Sequence, residues 1–170
     1  HAGLYHHYGL KRDLKPNKLS GVFTHKSYFD HAALTRGFDD TFLVPHSRYG
    51  HIDIDKINAC EELVALAGSE RVGAYLIKNK SGSQVYITGH PEYDAHTLKG
   101  EYLRDQEKSA DAPKPENYFP DDNPDNEPSK TWQSHAFLLF SNWLNYYVYQ
   151  TTPYDINLVS QDVRTNNYAE

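Results

Sequence analysis

The residues best placed to do chemistry lie in Gln84-Val-Tyr-Ile-Thr-Gly-His90-Pro-Glu92-Tyr-Asp94. Val85 to Thr88 is a β-branched and aromatic run, Gly89 stops it, and His90-Pro-Glu92 makes a turn. A histidine delivered by a strand end is a general base suited to neutral pH. Glu92, two residues on, can accept a hydrogen bond from the other ring nitrogen. That fixes the tautomer and stabilises the imidazolium, as the carboxylate of a catalytic triad does. The competing reading is structural: His90 as a turn residue, Pro91 fixing that turn, and Glu92 as a charge favoured at a helix start. The chemical reading also requires a nucleophile.

The elements around this stretch follow from pattern. Ala2 to Tyr8 reads as the end of a helix, with Leu4 and Tyr8 at i and i+4 and Gly9 as its stop. Lys11 to Asn17 reads as a polar connection, and Leu19 to His25 as a strand centred on Val22 and Phe23. Gly37 to Asp40 reads as a turn, and Pro45 to Tyr49 as a loop rich in polar donors. Leu63 to Leu66 and Ala74 to Ile77 are short apolar runs. With the turn Lys80 to Ser83 they form a meander leading to His90. Asp94 reads as the N-cap of a helix running to about Ser109, with Leu98, Tyr102 and Leu103 inward. Pro113 to Pro128 is a loop without period. Thr131 to Tyr149 carries apolar residues at helical spacing and reads as a core helix with one deeply buried face. Gln133, His135, Asn142 and Asn145 interrupt that apolar run, so it is not a membrane span.

Composition narrows the function classes. A chain of 170 residues with 38% hydrophobic and 14% aromatic content is one globular domain. Net charge −6 with no basic cluster argues against a nucleic-acid surface. A single cysteine excludes an intrachain disulfide framework and suits the cytoplasm. The chain has no methionine and opens on His1, which points to a fragment or processed piece.

Several blocks together resemble one family. Gly89-His-Pro-Glu-Tyr-Asp94, Arg36-Gly-Phe-Asp-Asp40, Pro45-His-Ser-Arg48, Asn117-Tyr-Phe-Pro-Asp121 and Leu139-Phe-Ser-Asn-Trp-Leu-Asn-Tyr-Tyr-Val-Tyr149 occur in the order found in homoserine O-acyltransferases. The resemblance runs from His1 to about Asp155, with a polar tail over 156–170. It implies an α/β, flavodoxin-like, class I glutamine amidotransferase-like domain whose N-terminal part is missing. It implies transfer of an acetyl or succinyl group from acyl-CoA to the hydroxyl of L-homoserine, through an acyl-cysteine, early in methionine synthesis. The nucleophilic cysteine is then upstream of His1, on a strand-to-helix elbow, and this stretch alone is inactive. Cys60, in Asn58-Ala-Cys-Glu, lacks elbow glycines and reads as an ordinary thiol.

Carried over by residue, the resemblance makes His90 the general base and Glu92 its partner. Lys18 and Ser47 become substrate contacts, and Arg104 the arginine that holds the homoserine carboxylate. A guanidinium fork suits a carboxylate; without the family, Lys18 and Arg104 read as solvated charges and Ser47 as a turn residue. No metal and no cofactor are implied beyond the acyl-CoA co-substrate, and a homodimer is suggested. Acetyl and succinyl donors are not distinguished. Two other readings stay open: a glutamine amidotransferase-like hydrolase, with the same Cys and His-x-Glu, and an inert half-domain.

Overall fold

The computed structural model describes residues 1–153; the tail expected over 156–170 lies outside them. Helix α1 spans Ala2–Tyr8 and ends on Gly9, whose φ of 67° needs no Cβ. Five strands follow: β1 (Asp13–Ser27), β2 (Thr41–His51), β3 (Leu63–Ser69), β4 (Gly73–Asn79) and β5 (Val85–Ile87). Helix α2 (Ile54–Asn58) links β2 to β3, α3 (Thr97–Lys108) follows β5, and α4 (Gln133–Trp143) continues as a π-helical segment, Leu144–Tyr149.

The strands form one sheet in the order β2-β1-β3-β4-β5. Every described pairing between these strands is antiparallel. The long β1–β2 ribbon sets Ser20 opposite Ser47 and Gly21 opposite His46, and its register slips between Leu14 and Leu19. That slip carries β1 through Pro16, so most of the expected polar connection is strand. Pro45 to Tyr49 is likewise strand, not loop. Its polar residues misled the reading. His46 is buried whereas Ser47 and Arg48 are only partly so, and β1 supplies the hydrogen bonds that such a segment would otherwise seek from water.

Three apolar clusters hold the layers together. Leu34, Phe42, Val44, Tyr75, Leu76 and Leu139 pack α4 onto one sheet face. Leu4, Ile52, Ile57, Ala65 and Ile77 pack α1 and α2 onto the other. Val22, Leu98, Tyr118, Phe119 and Trp132 join α3 and the 113–128 loop to β1. That loop is stitched down by Glu116, whose backbone bonds Ser20 O and Val22 N, each at 2.9 Å. Gly21 is required there, because a Cβ at its φ of 147° would run into the Glu116 carbonyl.

Helix α3 starts at Thr97, later than Asp94. The chain turns twice first, through Tyr93 N to His90 O (3.1 Å) and Thr97 N to Asp94 O (3.2 Å). The Asp94 carboxylate instead meets Lys130 Nζ at 3.4 Å. Leu98 is buried on α3 as expected, but Leu103 is 51% exposed.

Candidate active site

His90 follows the short edge strand β5, and its position is set from below. Thr88 binds β4 twice, by its N–H to Tyr75 O (2.9 Å) and its hydroxyl to Ala74 O (2.6 Å). Gly89 lies against β2 so closely that a Cβ there would come within 2.6 Å of Val44 Cγ1 and 3.0 Å of His46 Cε1. His90 N–H then donates to Pro45 O at 2.9 Å. The glycine before the histidine is therefore a close-approach residue.

The expected pair forms. His90 Nδ1 lies 2.8 Å from Glu92 Oε1, and the His90 ring stacks on Tyr93 at 4.3 Å and 12°. A carboxylate can only accept, so Nδ1 carries the proton and Nε2 keeps its lone pair as a base. His90 is 34% and Glu92 57% exposed, so the pair opens outward.

Tyr93 joins this pair to a second cluster. Its hydroxyl donates to Glu101 Oε1 at 2.8 Å. The other Glu101 oxygen accepts from Ser47 Oγ and, at 3.1 Å, from Lys18 Nζ. Lys18 also reaches Asp105 Oδ2 at 2.7 Å. Burial opposes the charge on Glu101, but the donors Ser47, Tyr93 and Lys18 outweigh it and hold its carboxyl below the usual range. Burial likewise opposes the Lys18 ammonium, and Asp105 with Glu101 outweighs that, raising its pKa. Burial and the bond to Glu101 push the Tyr93 phenol up. All three groups thus hold their ordinary charge states at neutral pH.

Arg104 stands one helical turn along α3, 57% exposed, with Nη2 3.6 Å from Asp105 Oδ1. Among the described residues its ion pair with the cluster is to that carboxylate. Of the sequence candidates, Lys18 and Ser47 meet directly at Glu101, His90 and Glu92 connect through Tyr93, and Arg104 is peripheral. The sequence reading missed Glu101 and Tyr93. Spacing offered a signal, since Glu101 and Asp105 lie at i and i+4 on α3 and can grip one cation together.

Under the site is a buried histidine pair. His25 Nδ1 lies 2.9 Å from Phe23 O, so that nitrogen donates. His25 Nε2 is then an acceptor and takes the Nε2–H of His46 at 3.1 Å. Burial pulls His25 down to about 4 and His46 well below its usual value. Both rings are neutral, and their planes lie 9° apart at 5.0 Å.

The family profile of homoserine O-succinyltransferase matches residues 1–154. The chain belongs to the homoserine O-succinyltransferase family. A homoserine O-succinyltransferase of Pseudoalteromonas translucida is 82% identical over the whole chain, which covers 54% of that relative. A homoserine O-acetyltransferase of Petrotoga mobilis is 49% identical over 95% of the chain and 52% of the relative. The chain thus spans about half the length of the curated relatives it matches. Among solved structures, a glutamine amidotransferase of Thermotoga maritima matches 79% of the chain, which covers 53% of that protein, at TM-score 0.50 and 16% identity. The fold is thus α/β of the glutamine amidotransferase-like kind, as expected. No helix of the described residues is long and apolar enough to cross a membrane.

Proposed function

We propose that the full-length protein moves an acyl group from acyl-CoA to the hydroxyl of L-homoserine, in the cytoplasm and early in methionine synthesis. Residues 1–155 form the C-terminal part of its catalytic domain. The observation that carries the reading is the linkage from His90–Glu92 through Tyr93 to Lys18 and Ser47. A base with a fixed tautomer there adjoins groups suited to an amino-acid substrate. Relatives named for either donor match the chain, a homoserine O-succinyltransferase at 82% identity and a homoserine O-acetyltransferase at 49%, which fits a shared reaction and leaves either acyl donor admissible.

The nucleophile in this reading is a cysteine N-terminal to His1. Its thiolate, paired with protonated His90, attacks the thioester carbonyl; the C–S bond to CoA breaks, and the leaving sulfur takes the proton from His90, which returns to the neutral base. Homoserine then enters. His90 Nε2 removes its hydroxyl proton as that oxygen attacks the acyl-cysteine, and the cysteine sulfur leaves. Glu92 offsets the imidazolium formed in that step. Arg104, the most exposed cation of the cluster, takes the homoserine carboxylate. Lys18 already binds two carboxylates and has one N–H left for substrate, beside the Ser47 hydroxyl.

The test uses two proteins. Full-length enzyme mixed with acyl-CoA and homoserine releases CoA and forms O-acylhomoserine; the 170-residue chain alone does neither. Glutamine hydrolysis by the full-length protein, without acyl transfer, would overturn the reading. CoA release by the short chain would remove the upstream cysteine from it.

A further inference from the structure

Among the described residues Arg48 is a cation without an anion. It lies on β2 next to Ser47, partly buried, and burial pulls its pKa down to about 10. Among the described residues no carboxylate pairs with it; its hydrogen-bond acceptors include two backbone carbonyls. Nη2 donates to Val72 O at 2.6 Å, in the β3–β4 turn, and Nη1 to Thr88 O at 3.0 Å, just past β5. Nη1 also lies 3.4 Å from His1 Nε2, at the start of α1. Nε is buried with no partner. A partly buried charge that no described carboxylate offsets is costly, which points to a role beyond satisfying two carbonyls.

The acceptors suggest that role. A guanidinium is planar and its N–H donors point outward in that plane, so acceptors bound around its edge are fixed relative to each other. Thr88 is already anchored to β4 by its amide and hydroxyl. It is also two residues from His90. Val72 lies in the turn between the paired strands β3 and β4, so the partner outside the sheet is His1, at the start of α1.

We propose that Arg48 is a positioning residue, which fixes the start of α1 against the strand end that carries His90. This rests on the acyl-cysteine reading, in which the nucleophile enters from the chain leading into α1. Arg48 then sets the distance between the sulfur and the His90 imidazole without touching substrate.

The test uses the full-length protein with Arg48→Lys and Arg48→Met. Lysine keeps the charge and loses the fork; methionine loses both. A displacement of about 1 Å costs roughly 10²-fold in rate. Both variants should therefore lose about that much in the single-turnover release of CoA from acyl-CoA, with the homoserine KM little changed. Amide exchange across α1 reads the tether without any reaction and should quicken in both variants. If Arg48→Met fails to fold, Arg48→Lys decides, with rates referred to the folded fraction from its melting curve. An Arg48→Lys variant with near-normal acylation, or with α1 exchange unchanged, overturns the tether. Unaltered protein that releases no CoA in a single turnover, while α1 exchange still quickens in the variants, overturns the acyl-cysteine reading and leaves the tether standing as a structural one.

Discussion

Replacing Glu92 by Gln in the full-length protein separates a catalytic carboxylate from a turn residue. The change keeps the shape and removes the charge. In a buried triad, loss of the orienting carboxylate costs about 10⁴-fold in kcat. Here the two side chains are 34% and 57% exposed, so solvent weakens the effect. Two unit charges ~4 Å apart interact by roughly 1–4 kcal/mol for effective dielectrics between water and a protein surface. That converts to about fivefold to 10³-fold in rate. We therefore expect kcat to fall by about 10- to 10³-fold, short of the buried-triad value. Stability should change little, since exposed ion pairs contribute at most ~1 kcal/mol, which moves Tm by about 2–4 °C in a domain of this size. The assay is kcat for acyl transfer beside a thermal melt. The double variant with His90→Ala should be no slower than His90→Ala alone, because both residues serve one proton transfer. Near-normal turnover in Glu92→Gln would refute the partnership, and a collapsed melt would reassign Glu92 to the fold.

Three further outcomes follow from the geometry. Arg104→Ala should raise the homoserine KM about 10- to 100-fold, the equivalent of ~1.5–3 kcal/mol for a charged hydrogen bond, with acylation by acyl-CoA intact; equal loss in both steps would place Arg104 elsewhere. Gly89→Ala should destabilise by ~1–3 kcal/mol and slow turnover, because its Cβ would press on Val44 and His46; an unchanged melt refutes the close approach. His25, held near 4 in the fold against an ordinary value of 6.5, contributes stability that is full above pH 6.5 and lost as pH falls toward 4. Urea midpoints should drop over that window in the unaltered chain, and drop less steeply in His25→Gln, where His46 still contributes pH dependence.

The sequence revealed those parts of the site that depend on neighbours along the chain. His90, Glu92 and the Gly89 stop are close in sequence, and their geometry follows from a strand end and a tight turn. Glu101 was invisible for the opposite reason. Its partners Lys18, Ser47 and Tyr93 come from β1, β2 and the turn after β5. Only the β1–β2 register, with Ser20 opposite Ser47, brings the first two to one place. Composition misread β2 because polar residues in Pro45 to Tyr49 suggested solvent, whereas a paired ribbon can carry polar side chains toward a site and keep its backbone satisfied.

Helix α4 shows a second limit of the same kind. Its apolar spacing was legible and the helix exists, yet only Ala136 and Leu139 are buried along Gln133–Trp143. Phe137 is 71% exposed, and Phe140 and Trp143 about as exposed as each other, at 42% and 41%. Periodicity reports that a helix is amphipathic; it cannot report what lies against each side. Leu139 meets Leu34, Phe42 and Leu76 in the core, while Phe140 and Trp143 face a hollow that Val85 and Ile87 of β5 also line. The side nearest the sheet therefore has its partners among the described residues, and its neighbour one step round the helix has them only in part. The same distinction separates the two halves of the site. Glu101 is surrounded by its donors, and its charge state is set by them; His90 holds its carboxylate but stays 34% exposed, open to the substrate and nucleophile of the proposed reaction.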